Sequence, residues 1–176
     1  VLNLLRDAGC DVDGTRVRFP KGLARKLAST APSQFTQFAR NPLKSVEIGG
    51  DKIVFAPVYG PPFIRGLDGE RRYAEIDDFI NMVKLVYMLP GLHHSGGTLC
   101  EPVDLPVTKR HLEMIYAHIR YSDKPFMGSV TAPSRAEDSV EMARLVFGDE
   151  FVKNNCVLVS LINANSPMTW DDTMLG

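Results

Sequence analysis

Along the second half of this chain, short runs of apolar residues alternate with stretches in which apolar residues are three or four positions apart. Short apolar runs predict strands at residues 95–100, 125–130 and 156–162. Between them, apolar side chains recur every three or four positions and predict helices at about 106–121 and 135–147. Each strand and helix together take about thirty residues, the usual length of a βαβ unit. The pattern therefore predicts an α/β fold with parallel strands.

Each predicted strand ends in a short polar or proline-rich segment, at residues 101–104, 131–134 and 163–167. Ligands of parallel α/β folds bind at the carboxyl ends of the strands, so we expect binding or catalytic residues there. Glu101 follows an apolar strand, where a carboxylate can bind a cation or accept a proton, or else form a cap or a salt bridge. Asn163, Asn165 and Ser166 follow another, where they either line a pocket or form a turn.

The first half of the chain alternates between short helical and strand-like patterns. The predicted elements are helices at 2–8 and 21–29, strands at 15–19 and 35–39, a hairpin of 46–48 with 52–55 around Gly49-Gly50-Asp51, a second hairpin around Asp68-Gly69, and a helix from Ala74 that Pro90-Gly91 ends. We therefore expect residues 1–91 to form a helix and hairpin extension with a first covering helix. Residues 92–176 are expected to form the first βα units of a larger sheet.

Residues 56–63 combine aromatic, proline and glycine side chains in one predicted loop. Such a loop can cover a pocket and place Tyr59 or Phe63 against a ligand. The alternative is a structural turn that buries both rings.

Composition excludes several classes of partner. The net charge is −1 and no cluster of lysine and arginine stands out, so neither nucleic acid nor a membrane is expected as a partner. The three cysteines, Cys10, Cys100 and Cys156, form no close pairs. They argue against a disulfide framework and favour the cytoplasm.

Several common catalytic and metal-binding patterns do not fit the sequence. His93, His94, Cys100 and Glu101 are near one another, but their spacing does not match a zinc site, and no metal is expected. His111 and His118 lie seven apart on a predicted helix and are assigned surface or interhelical roles. Phosphate-binding glycine loops and the G-x-S-x-G nucleophile motif are absent from the sequence.

Two pairs of polar residues are better explained as signals for the start of a helix than as catalytic groups. Asp77 and Asp78 fall in a first helical turn, where carboxylates interact favourably with the helix dipole. Ser134 and Glu137 match the S-x-x-E capping box, which predicts Ser134 as an N-cap.

Six segments, in order along nearly the whole chain, resemble the trimethylamine methyltransferase family. They are residues 46–51, 58–69, 100–106, 110–114, 122–129 and 163–167, which read VEIGGD, VYGPPFIRGLDG, CEPVDLP, RHLEM, SDKPFMGS and NANSP. The resemblance implies that the chain is the N-terminal portion of a (β/α)8 TIM barrel, preceded by a helix and β-hairpin extension.

The resemblance also implies a reaction. A methyl group would pass from a methylated tertiary or quaternary amine to the Co(I) of a corrinoid, a cobalamin that a partner protein carries. The chain itself would bind no cofactor directly, and the protein is expected to be a homo-oligomer. The 176-residue piece by itself would be inactive, because an open barrel cannot close a pocket.

The implied substrate gives the candidate residues roles. Aromatic faces attract quaternary or protonated ammonium groups, so Tyr59 and Phe63 are candidates for binding the amine. Glu101 would add charge complementarity. Candidates for hydrogen bonding a substrate carboxylate are Asn163, Asn165 and Ser166. The sequence identifies no catalytic residue.

Two other functions remain possible at this stage. The same strand ends would serve a non-catalytic domain that binds a small molecule such as a quaternary amine. An aldolase-like barrel is disfavoured, because Lys124 begins a predicted strand and Lys153 precedes one, whereas Schiff-base chemistry needs a lysine at a strand end.

Overall fold

The computed structural model describes residues 1–175, and small elements make up its first half. In chain order they are α1 (Leu2–Asp7), β1 (Asp11–Asp13), β2 (Arg16–Arg18), α2 (Leu23–Ala28), β3 (Gln34–Gln37), a 3-10 turn (Pro42–Lys44), β4 (Val46–Gly49), β5 (Phe63–Arg65) and β6 (Arg71–Tyr73). The predicted helices of this half and most of its predicted strands are thus present, although most are shorter than predicted, and residues 52–55 form no strand.

Longer helices dominate the second half. The elements are α3 (Ile76–Met88), α4 (Val107–Tyr121), β7 (Phe126–Met127), α5 (Pro133–Phe147), α6 (Asp149–Asn154), β8 (Leu158–Val159) and α7 (Asp172–Leu175). The helices α4 and α5 begin and end within two residues of their predicted bounds. In the part of the chain that the structure describes, no helix is long and apolar enough to cross a membrane.

The strands β7 and β8 pair in parallel, with Phe126 opposite Leu158 and Met127 opposite Val159. The helix α5 connects them, which confirms the predicted parallel unit in this part of the chain. Both strands are only two residues long, so the predictions of 125–130 and 156–162 were correct in place but too long.

The predicted strand at 95–100 is an irregular extended segment rather than a ladder strand. It still runs beside β7 in the same direction: the Ser95 amide donates to the Pro125 carbonyl at 2.8 Å, and the Met127 amide donates to the Gly96 carbonyl at 2.8 Å. Gly96 has a φ of +88°, and a Cβ there would lie 2.6 Å from Cγ of Pro57. The close approach of the 56–63 loop therefore distorts this segment.

The first predicted hairpin was wrong. The strand β4 pairs antiparallel with β3, with Val46 opposite Gln37, and not with residues 52–55. Residues 52–55 instead reach towards the second half, where the Phe55 carbonyl accepts from the His93 amide at 3.0 Å. A glycine-rich turn favours reversal of the chain, but β4 pairs with the strand that precedes it and not with the residues that follow the turn. The second hairpin, β5 with β6, is confirmed.

One of the two helices with a predicted start has a different N-cap residue in the structure. The first turn of α3 contains Asp77 and Asp78, and Glu75 with Asp78 forms a capping box. The helix α5 begins at Pro133 with Ala132 as N-cap, so the prediction of Ser134 as N-cap was wrong. Proline at the first helical position starts the helix earlier, because its missing N–H would have no partner there.

The main core lies between α3, α4 and the 95–100 segment. The buried side chains that form it are Ala74, Phe79, Val83, Val86, Leu99, Cys100 and Ala117. This packing places the amino ends of α4 and α5 beside the carboxyl ends of the extended strands.

Lys124 ties the end of α3 to the start of β7. Its ammonium group donates to the carbonyls of Val86 at 2.8 Å, Leu89 at 3.0 Å and Leu92 at 2.7 Å, and the side chain is buried. Burial lowers the pKa of Lys124. The Val86 carbonyl lies in the last turn of α3, and those of Leu89 and Leu92 follow the helix. A cation is favourable at this end of a helix.

Gln37 and His94 fill the space at the amino ends of β7 and β8. Nε2 of Gln37 donates to the Phe126 carbonyl at 2.9 Å, and Oε1 lies 3.1 Å from Nε2 of His94. Nδ1 of His94 accepts from the Gly96 amide at 2.8 Å, so Nε2 carries the proton. Burial, followed by the nearby His118, lowers the pKa of His94 to about 4. This network holds β3 and the irregular segment to the sheet.

Candidate functional site

A small pocket opens where the irregular segment and β7 end. We call it the strand-end pocket. It is lined by Gly97, Thr98, His111, Met114, Ile115, His118, Met127, Gly128 and Ser129. The space has room for about one water molecule. It lies at the edge where parallel α/β folds bind ligands, but its lining residues differ from the site residues that the sequence predicted.

Two glycines allow close packing around this pocket. A Cβ on Gly97 would lie 2.8 Å from Cε2 of Tyr59 and 3.0 Å from Cβ of Met127. A Cβ on Gly128 would lie 3.1 Å from Cβ of Ser139 and 3.2 Å from Oγ of Ser160. All four distances are shorter than ordinary van der Waals contacts, so larger residues would displace the neighbours.

Tyr59 lies over this edge of the sheet. The Gly60 amide donates to the Thr98 carbonyl at 2.6 Å, and the Glu101 amide donates to the Pro61 carbonyl at 3.0 Å. These bonds fasten the 56–63 loop across the 97–101 segment. The Tyr59 side chain packs on Gly97 and is 44% exposed, so part of its ring remains accessible to a ligand.

Phe63 lies in a different environment. It belongs to β5, whose next residue, Ile64, packs against the main core. Successive side chains of a strand point to opposite faces, so Phe63 points away from that core. Its ring lies 4.5 Å from the ring of Tyr73 and 3.7 Å from the guanidinium carbon of Arg71. One cation already occupies a face of this ring.

Glu101 forms an ion pair with the start of α4. Its carboxylate accepts from Nη1 of Arg110 at 2.8 Å, and Nη2 of Arg110 donates to the Leu105 carbonyl at 3.2 Å. The Arg110 side chain is more buried than that of Glu101. The guanidinium therefore balances much of the negative charge that a substrate ammonium would otherwise meet.

The polar residues after β8 form an exposed turn. The Asn165 amide donates to the Thr169 carbonyl at 2.7 Å, and the Met168 and Thr169 amides donate back to the Asn165 carbonyl. Asn163, Asn165 and Ser166 are exposed, and within residues 1–175 their side chains form no hydrogen bond. They are free to bind a ligand but are not gathered around the strand-end pocket.

His118 hydrogen-bonds to the segment that lines the pocket. Nε2 lies 2.8 Å from the Gly97 carbonyl and Nδ1 lies 2.7 Å from Oγ of Ser95. A carbonyl can only accept, so Nε2 carries the proton and Nδ1 accepts from the Ser95 hydroxyl. Burial lowers the pKa of His118 to about 4, and the ring remains neutral near pH 7. The histidine thus fixes the segment that carries Gly97.

His111 joins α4 to α5 at the pocket. Its Nε2 lies 2.8 Å from Oδ2 of Asp138, and the ring is buried beneath the strand ends. This contact confirms an interhelical role for His111. Sequence reasoning missed the position of both histidines under the sheet. The signal was their spacing of seven, because two helical turns place His111 and His118 on the same face.

The histidines and cysteines of the second half do not converge. His93 accepts from the Phe55 amide through Nδ1 at 3.1 Å, whereas His94 contacts Gln37. Cys100 is buried, and desolvation raises its pKa to about 11, so it is a poor nucleophile. Among residues 1–175, no group of three or more histidine, cysteine or acidic side chains lies close enough to hold a metal ion.

Comparison with known proteins places this chain in a family. The chain is 47% identical over 176 residues to the glycine betaine methyltransferase of Desulfitobacterium hafniense (strain Y51). It is 26% identical over 183 residues to the proline betaine:corrinoid methyltransferase of Eubacterium limosum. In each case the match covers 99% of this chain and 37% of the relative, so the chain spans little more than a third of their length. The model of the trimethylamine methyltransferase family matches residues 1–176, and the chain therefore belongs to that family.

Proposed function

We propose that this chain is part of an enzyme that transfers a methyl group from a quaternary amine to a corrinoid. The observation that carries the proposal is the family match over the whole chain, together with 47% identity to a glycine betaine methyltransferase. The proposed substrate class is the betaines, in which a quaternary ammonium and a carboxylate are joined by a short linker.

The reaction conserves electrons without an added oxidant. Co(I) donates an electron pair to the methyl carbon as the carbon–nitrogen bond breaks, and the pair of that bond stays on nitrogen. The products are methyl-Co(III) and a neutral tertiary amine. The corrinoid is proposed to reside on a partner protein. In support, the name of the E. limosum relative couples proline betaine to a corrinoid.

Tyr59 is the residue that we propose to contact the ammonium group. It is half exposed at the carboxyl end of the irregular segment, and aromatic faces bind quaternary ammonium groups. Phe63 and Glu101 stay predictions, and each would first have to loosen its contact with Arg71 or Arg110. The predicted carboxylate-binding groups also stay predictions: Asn163, Asn165 and Ser166.

The fold supports an early portion of a (β/α)8 barrel. The irregular segment, β7 and β8 run in the same direction, with α4 and α5 as the helices between them. We propose that residues 92–176 contribute the first βα units and that residues 1–91 form the extension. We also propose a homo-oligomer in the cytoplasm. The location agrees with three free cysteines and with the reducing conditions that Co(I) requires.

The proposal is tested by absorbance. The protein is expressed at the full length of its relatives, and conversion of cob(I)alamin to methylcobalamin is followed with trimethylamine, glycine betaine, carnitine and proline betaine. We expect turnover with at least one betaine and little with trimethylamine. Folded protein that binds a betaine but never methylates intact cob(I)alamin would instead support a non-catalytic binding domain.

A further inference from the structure

A buried side chain that lines the strand-end pocket carries an unpartnered polar atom. Nδ1 of His111 has no hydrogen-bond partner within residues 1–175, and the residue is only 4% exposed. His111 also lines the pocket. Buried polar atoms are normally hydrogen-bonded, so such an atom beside a pocket marks a place where a polar ligand atom can bind.

The partner on the other side of the ring determines what Nδ1 can bind. Nε2 of His111 lies 2.8 Å from a carboxylate oxygen of Asp138, so Nε2 carries a proton. In the neutral ring, Nδ1 then has a lone pair and can only accept. A carboxylate oxygen cannot donate, so it can bind Nδ1 only if Nδ1 also gains a proton.

A carboxylate lies beside the ring. Asp138, on α5, lies next to Nε2 and would balance an imidazolium. The other titratable group that lines the pocket is His118, whose low pKa keeps it neutral. The remaining lining residues, at 97–98, 114–115 and 127–129, carry no charge. Arg110 precedes His111 but pairs with Glu101.

The pocket is so small that only one atom of a ligand can enter it. Space for about one water molecule is also space for one carboxylate oxygen, with the rest of the ligand outside. Tyr59 packs on Gly97, which lines the pocket. A small molecule that carries an anion and a cation a few atoms apart suits this arrangement.

We propose that His111 binds one carboxylate oxygen of a betaine through Nδ1–H and takes up a proton as the substrate binds. Asp138 then stabilises the imidazolium. This inference rests on the proposed function, because that function supplies a quaternary amine with a carboxylate. It adds a substrate-binding residue and a proton linkage.

The test is calorimetric titration of the full-length protein at one pH in two buffers of different ionisation enthalpy. Glycine betaine is expected to bind with proton uptake. Choline, which has a hydroxyl that can donate to neutral Nδ1, is expected to bind without it. H111Q should abolish the uptake and weaken glycine betaine binding by about tenfold or more, as expected for loss of a charged hydrogen bond. E137Q removes a carboxylate one residue from Asp138 and should behave like the wild type.

The variant D138N provides a second measurement, because it retains the histidine and removes the balancing charge. It should reduce both the proton uptake and the affinity for glycine betaine, and it should leave choline binding unchanged. Wild-type protein that binds glycine betaine without proton uptake, or H111Q that keeps the uptake, would overturn the inference while the methyltransfer activity stands. Wild-type protein that neither binds nor demethylates any betaine would overturn the proposed function and this inference together.

Discussion

At the scale of single residues, hydrogen-bond partners distinguish His111 from the other two buried histidines. His118 and His94 each donate once and accept once, and both stay neutral because burial disfavours charge. His111 contacts a carboxylate through Nε2, and its Nδ1 has no hydrogen-bond partner within residues 1–175. Residue type alone therefore does not separate a structural histidine from a binding one.

The buried histidines predict a loss of stability in mild acid. The pKa of His118 is about 4 in the folded protein and near 6.5 unfolded, so protons bind the unfolded state preferentially. Stability should be full above pH 6.5 and fall as the pH drops towards 4, by at most about 3 kcal/mol from this residue. Urea unfolding at several pH values measures the slope. H118Q should have a shallower slope than the wild type, and equal slopes would contradict the prediction.

The ring of Tyr59 predicts a graded response to substitution. Y59L removes the aromatic face and should weaken binding of glycine betaine by about 3- to 30-fold, the range of cation–π interactions. Y59F keeps the face and should retain most of the affinity. Calorimetric dissociation constants measure both variants. Equal losses in the two would indicate that the hydroxyl, and not the ring, contacts the ligand.

At the scale of elements, helices and strands differ in how well local pattern describes them. The bounds of α4 and α5 follow from the spacing of apolar side chains, because helical hydrogen bonds join residues four apart. The strands depend on distant partners: β4 pairs with β3 and not across Gly49-Gly50, and the 95–100 segment is bent by the loop above it. Sequence correctly located most strands and two of their pairings, but not their lengths or the partner of β4.

The contact between that loop and the segment gives a prediction for Gly97. G97A places a Cβ 2.8 Å from the Tyr59 ring, so the ring must move, and betaine affinity should fall by about tenfold. A Cβ on Gly91 would have no heavy atom within 4 Å, and this glycine has no positive φ, so G91A is the matched control. It should retain wild-type affinity and unfolding temperature. A wild-type affinity in G97A would show that Tyr59 need not lie on this glycine.

At the scale of the whole molecule, the chain supplies one edge of a site. The 56–63 loop brings Tyr59 to the strand ends and α4 brings His111, yet the accessible pocket accepts about one atom of a ligand. Apolar side chains that follow β8 are exposed, including Leu161 and Ile162. The chain spans 37% of the length of its relatives, so we attribute the rest of the proposed site to residues outside it.

This division of the site predicts that residues 1–176 transfer no methyl group when expressed by themselves. The cob(I)alamin assay with glycine betaine measures this directly, with the full-length protein as the positive control. Circular dichroism establishes that the shorter protein is folded before the comparison is made. Methylcobalamin formation by residues 1–176 would contradict the prediction.

The long helices and the family follow from the amino-acid sequence, because helical periodicity is local and the family motifs are spread along nearly the whole chain. Which side chains meet depends instead on how the chain packs in three dimensions. Packing placed Tyr59 on Gly97, paired Glu101 with Arg110, set Arg71 against Phe63 and brought Asp138 to His111. These contacts join residues from 8 to 38 positions apart, and no local pattern encodes such distances. Packing of the helices on the strands brings them together.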